Sequence, residues 1–126
     1  MHNSEEERRL SNNIIVEKSF KFAIETVNIY KELCRKQEYV LSKQLMRSGT
    51  SIGANVKEAI RGQSKKDFLS KMNIALKEAN ETEYWIELLM ETGYLNKDTD
   101  FYYLNNCKEL CKILNTIVKT TKESLN

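Results

Sequence analysis

Gln44-Leu45-Met46-Arg47-Ser48-Gly49-Thr50-Ser51-Ile52-Gly53-Ala54-Asn55-Val56 is the stretch on which the fold turns. Leu45, Ser48, Ile52, Val56 and then Ala59 recur at spacings of three and four, the period of one helix face. Gly49 and Gly53 are four apart, so they share a face, and the missing Cβ atoms let a second backbone come close. Each glycine inside a helix costs about 1 kcal/mol against Ala, and tight helix-to-helix packing is the interaction that offsets it. A phosphate loop built from the same glycines with Thr50, Ser51 and Lys57 fails on context. There is no Gly-Lys-Ser/Thr triplet, and no strand precedes the glycines to launch such a loop.

Outward from this stretch the chain reads as four helices. Ser42 is placed to cap the second, which spans 42–61, and Gly62 follows as a left-handed terminator. Ser64 and Asp67 have the spacing of a capping box, and Phe68, Met72, Ala75, Ala79, Thr82, Ile86 and Leu89 then alternate four and three up to Gly93. That predicts a third helix over 64–92, about 40 Å long at 1.5 Å per residue. Upstream, Val16, Phe20, Ala23, Val27, Tyr30 and Cys34 define the apolar side of a first helix over 11–36, which breaks near Gln37. The polar residues 1–10, with Ser4 three before Glu7, either fray or extend it. Downstream, Asn96 or Asp98 caps a fourth helix over 98–124, whose apolar series is Leu104, Cys107, Cys111, Leu114, Val118, Thr121 and Leu125. Average usage of about 5% would give roughly six prolines in a chain of this length, yet there are none, which fits long unbroken helices. The expected fold is all-α, a single domain over 1–126, as an up-down-up-down antiparallel four-helix bundle with left-handed packing.

The stretch quoted above, together with Ser64-Lys65-Lys66-Asp67-Phe68, Ile74-Ala75-Leu76-Lys77-Glu78-Ala79 and Tyr84-Trp85-Ile86-Glu87-Leu88-Leu89, resembles the four helix bundle proteins, also called 23S rRNA intervening sequence proteins. The similarity runs from about Phe20 to about Val118. The resemblance implies the same bundle and, because members of that family are homopentamers, a homo-oligomer. It also implies a link to genes carried inside 23S rRNA intervening sequences, which is a gene location rather than an activity.

Composition narrows the functional classes. The chain is 30% charged and has no run of eighteen apolar residues, so neither a membrane span nor a membrane partner is expected. Its first residues lack a signal peptide's basic and apolar regions, and a cytoplasmic location is expected. Three cysteines, Cys34, Cys107 and Cys111, cannot all pair within one chain, which points to reduced thiols. Cys107 and Cys111 share a helix face with apolar residues and read as small hydrophobes rather than metal ligands. The one histidine is His2, so no Ser-His or Cys-His pair can form in the core, and Glu58, Glu78 and Glu81 read as surface carboxylates. The expectation is a non-enzymatic protein without catalytic residues, metal, cofactor or small-molecule substrate.

The net charge of +2 hides an asymmetry, for residues 44–77 hold seven bases against two acids. On helix two, Lys43, Arg47, Thr50, Ala54, Lys57 and Arg61 share one face over about 27 Å, with no acid on that line. Such a line can follow the phosphates of RNA or DNA, the small Thr50 and Ala54 permitting close approach. The competing reading is a solvated helix face on a structural or adaptor scaffold that binds other proteins. Helix three reverses the order its dipole favours, with Lys65 and Lys66 at its start and Glu87 and Glu91 near its end. Trp85, beside the main apolar stripe, fits either a broad monomer core or a second contact surface; the family resemblance implies the second, in which these five residues are the oligomer interface, one subunit's acidic end meeting the next subunit's basic end.

Overall fold

The computed structural model describes residues 4–125. Its four helices are α1 (Ser4–Arg35), α2 (Leu41–Ile60), α3 (Lys65–Glu91) and α4 (Phe101–Leu125), with no strand among the described residues. Chain neighbours pack together and α4 closes back onto α1, while the diagonal pairs α1–α3 and α2–α4 do not meet. Cross-helix contacts show the antiparallel sense. Ser19 lies against Gly53 and Thr26 against Gly49, so residue numbers rise along α1 as they fall along α2. The same holds for α1 and α4, where Lys18 meets Glu109 and Thr26 meets Tyr103. This is the expected four-helix bundle.

The ends of the helices follow local chemistry, with four departures from expectation. Helix α1 already includes Ser4 rather than starting at residue 11, and so takes in the polar residues 4–10; residues 1–3 lie outside the described residues. The break near Gln37 is real. Gln37 takes φ 64°, and the N–H of Glu38 donates to the Leu33 carbonyl at 2.9 Å, closing a Schellman turn on a residue other than glycine. Ser42 does not cap α2. The Glu38 carboxylate does so instead, accepting from the N–H groups of Ser42 at 2.6 Å, Leu41 at 3.0 Å and Val40 at 3.2 Å, while the Ser42 hydroxyl donates back to the Glu38 carbonyl. Ser64 caps α3 as expected, its hydroxyl accepting from the Asp67 N–H at 3.1 Å. Gly62 is not left-handed; Gly93 alone among the glycines is, with φ 85°. A Cβ on Gly62 would lie 3.0 Å from the Ala59 carbonyl oxygen, so proximity explains that glycine. Asn96 caps the turn before α4 by accepting from Asp98 and Thr99, which delays the helix from residue 98 to Phe101.

The core matches the expected faces of α2 and α3 and that of α4 as far as Val118, leaves Leu125 at the end of the α4 series 39% exposed, and corrects α1. Buried residues of α1 are Ile15, Ser19, Phe22, Thr26, Ile29 and Leu33, one position away from the expected series. Phe20, expected inside, is 66% exposed. The cause is the glycine face of α2. A Cβ on Gly49 would sit 2.7 Å from both γ atoms of Thr26, and one on Gly53 would sit 3.2 Å from the Ser19 carbonyl oxygen. Only small side chains fit on α1 opposite the glycines, so two polar residues face inward and break the hydrophobic period. Both are satisfied, Thr26 by the Phe22 carbonyl at 2.9 Å and the Tyr103 hydroxyl at 2.6 Å, Ser19 by the Val16 carbonyl. Tyr103 stacks on Phe22 with ring centroids 4.7 Å apart, and Thr82 donates to Ser48 across the α2–α3 seam.

Gly49→Ala is expected to lower stability by about 1–3 kcal/mol in chemical denaturation, as overpacking does, in spite of the helix propensity it gains. Rotating Thr26 brings no relief because both branches face the glycine; unchanged stability would show that α1 and α2 are free to separate. Glu38 carries a second expectation. Burial alone raises its pKa, but the N–H donors of Leu41, Ser42 and Val40 outweigh burial and hold it below the ordinary carboxylate value. A depressed folded pKa contributes stability above the unfolded value that is lost as pH falls through the folded one. Glu38→Gln should therefore destabilise the protein by about 1–3 kcal/mol at neutral pH, and the gap between variant and parent should close on acidification below about pH 4.

Candidate nucleic-acid interface

The bases of α2 face outward because its buried side is Ser42, Leu45, Ser48, Gly49, Ile52, Val56 and Ala59. At 100° per residue, Lys43, Arg47, Ala54 and Arg61 fall opposite that side, with Lys57 turned toward α1. All four bases are exposed, and Ala54 is exposed between them. Thr50 turns its hydroxyl back to the Met46 carbonyl at 2.7 Å, leaving the middle of the line shallow.

Arg47 departs from the pattern. Its guanidinium lies 3.1 Å from a Glu78 carboxylate oxygen and also pairs with Glu81, both on α3. One base with two acids makes this point locally negative, so the line is interrupted at its second member. Lys43, Lys57 and Arg61 have no ion-pair partner among the described residues. Past Gly62 the exposed Lys65 and Lys66 follow at once, and Lys65 lines a cleft of about 620 Å³ shared with Ser11 of α1 and Thr120 of α4. Lys57, Arg61, Lys65 and Lys66 thus gather at the corner where α2 turns into α3, with Glu7 of α1 across the cleft from Lys65 and Lys43 standing apart at the far end of α2. Period along a single helix located Lys57 and Arg61; it could not show that acids on α3 occupy Arg47, nor that Lys65 and Lys66 join them across the turn.

The residues expected at an oligomer interface are dispersed. Lys65 and Lys66 start α3 and Glu87 and Glu91 end it, about 40 Å away. Glu91 is bound within the subunit by Lys97 at 2.7 Å. Trp85 is half-buried against the core; its indole N–H donates to Glu81 at 3.0 Å, and Tyr84 meets it edge-on at 5.1 Å. The Trp85 hydrogen bond, together with Arg47, holds the Glu81 carboxyl below its ordinary pKa against the opposing effect of burial. Cys107 is buried, its thiol donating to the Ala79 carbonyl at 3.4 Å, and Cys111 is partly buried with its sulfur 3.7 Å from Glu83. Among the described residues no three His, Cys, Asp or Glu side chains gather as metal ligands would, and no helix is long and apolar enough to cross a membrane. His2 lies outside the described residues.

The model of the 23S rRNA-intervening sequence protein family matches residues 11–116. Among solved structures, the chain is similar to a protein of unknown function of the S23 ribosomal protein family from Bacteroides thetaiotaomicron VPI-5482. The two are 50% identical with a TM-score of 0.84, over 86% of this chain and 98% of that one. No curated protein matches.

Trp85, the single tryptophan, reports on this network. Its fluorescence should titrate in acid with a midpoint below the ordinary glutamate value, and Arg47→Ala should move that midpoint upward, because the cation that favours the Glu81 carboxylate is gone. A midpoint indifferent to Arg47 would show that the pair does not persist in solution.

Proposed function

The chain belongs to the 23S rRNA-intervening sequence protein family, and from that premise we propose that it is a non-enzymatic, oligomeric bundle that contacts RNA or DNA phosphates through the α2–α3 corner. The observation that carries this reading is the corner itself. Lys57, Arg61, Lys65 and Lys66 are exposed and without acidic partners in a ten-residue span whose one acid is Glu58. Basic side chains of this kind gain affinity by releasing counterions from the nucleic acid and do not read base edges, so binding is strongly salt-dependent and weakly sequence-dependent. Phosphate contacts of this kind suit RNA and DNA alike, and the homopentameric habit of the family favours several such corners per particle, which multiply a weak single contact.

The test uses two variants of equal net charge. Lys57→Glu with Arg61→Glu removes half of the corner; Lys108→Glu with Lys112→Glu alters two exposed bases of α4 away from it. The corner variant should lose at least tenfold in affinity for a mixed RNA at 50 mM salt, and the slope of log affinity against log salt should flatten by about two. The α4 variant should retain both. Equal loss in the two variants would reduce the effect to net charge, and no binding by the parent at low salt would leave an oligomeric scaffold as the function.

A further inference from the structure

One end of the bundle is open, and the residues that face the opening are polar where the core period calls for apolar ones. Helix α2 stops at Ile60, so beyond it the start of α1 and the end of α4 face the first turns of α3 across the cleft of about 620 Å³. The last core layer beneath is Ile15 of α1 with Ile117 and Val118 of α4. One turn further out, the cleft is walled by Ser11 and Asn12 of α1 and by Thr120, Thr121 and Ser124 of α4. A bundle end closed only for stability carries apolar residues at these inward positions.

The volume is that of a small-molecule site, and the lining has the composition of one, an apolar floor with a few polar groups around it. Ile117 and Phe68, the latter half-buried against the core, form the floor. The Thr121 hydroxyl donates to the Ile117 carbonyl at 2.7 Å and that of Ser124 to the Thr121 carbonyl at 2.9 Å, which leaves their lone pairs to accept. The side chains of Ser11, Asn12, Gln63 and Thr120 make no hydrogen bond among the described residues. The charged residues of the lining are Arg8, Lys65 and Glu7. One carboxylate with no histidine or cysteine beside it does not make a metal site.

Glu7 decides what chemistry fits. A carboxylate repels a phosphate but accepts from a ribose hydroxyl, the role an acid plays in dinucleotide sites. Cations for phosphates stand at the rim and outside it: Lys65 lines the mouth, and Arg61 and Lys57 follow along α2 one helical turn apart, about 6 Å, so that successive phosphates of one strand meet successive cations. An aromatic floor suits a base, since stacking on an aromatic ring holds any base of a single strand. A duplex satisfies the cations alone, because its bases are already stacked on one another.

We propose that the cleft seats one unstacked ribonucleotide of a single strand, its base on Phe68 and its ribose 2′-hydroxyl toward Glu7, while the neighbouring phosphates lie on Lys65, Arg61 and Lys57. The inference rests on the phosphate reading above and adds to it a preference for RNA over DNA, since the 2′-hydroxyl is what separates the two.

The probes are a short single-stranded RNA, the DNA strand of the same sequence and a blunt RNA duplex, each followed by fluorescence polarisation at one low salt concentration. The parent should bind the RNA strand about tenfold more tightly than the DNA strand. Ser11→Leu with Thr120→Leu fills the cleft at two exposed positions without altering charge, and Leu has the higher helix propensity at both, so helicity by circular dichroism should hold. This variant should lose about tenfold on the RNA strand, as the loss of one stacked base does, and bind the duplex as the parent does. Glu7→Ala removes one charge for both strands alike and should bring their ratio to about one. The proposal is overturned if the parent binds neither strand or both equally, if the filled variant keeps the parent's affinity for the RNA strand or weakens on the duplex to the same degree, or if Glu7→Ala preserves the ratio. The corner reading fails separately, through Lys57→Glu with Arg61→Glu binding the duplex as the parent does.

Discussion

The close approach of α1 and α2 at Gly49 and Gly53 constrains the rest of the bundle. With Thr26 and the Ser19 backbone already at van der Waals contact, there is no room for a Cβ on Gly49 and little for one on Gly53. The seam therefore fixes the rotation of α1 about its own axis. It draws the small polar Ser19 and Thr26 inward, and Tyr103 of α4 comes with them as the hydrogen-bond partner of Thr26. Burial raises the Tyr103 pKa far above the phenol's ordinary value, so the hydroxyl stays protonated and the pair stays neutral. A hydrogen-bonded pair held between three helices specifies their relative register more sharply than aliphatic contacts do.

The same rotation explains which parts of the fold were legible in the sequence. Helices α2, α3 and α4 bury residues whose apolar period is nearly unbroken, so their inner faces could be read by spacing alone. On α1 the core series contains a serine and a threonine while its neighbour is wholly apolar, and the pattern favoured the neighbour. The glycines carried the missing information, since a helix that meets them must present small side chains. The cap on α2 was hidden for a different reason. Glu38 lies before the helix and reaches three N–H groups through a backbone turn at Gln37, a geometry that no capping-box spacing describes.

The bases of the candidate site are legible in composition, and their grouping is set by the fold. Like charges at helical spacing are visible in one dimension, and Lys57 and Arg61 were found that way. Whether a charge is available depends on what faces it. Arg47 lies under Glu78 and Glu81 of the neighbouring helix, an ion-pair network that adds little stability at a half-exposed site but cancels the base as a phosphate ligand. Lys65 and Lys66 belong with Arg61 because a four-residue connection turns the chain back on itself, so their seeming violation of the α3 dipole becomes an extension of the α2 surface.

Exposing a second apolar face costs the isolated bundle nothing in its core, yet it leaves Phe20 with roughly 100–150 Å² of apolar surface in water, worth about 3 kcal/mol if covered. Since the glycine seam prevents α1 from turning Phe20 inward, a contact from outside is the remaining way to remove it from water. The rotation that packs the bundle and the apolar flank that it leaves on α1 are thus consequences of the same two missing Cβ atoms.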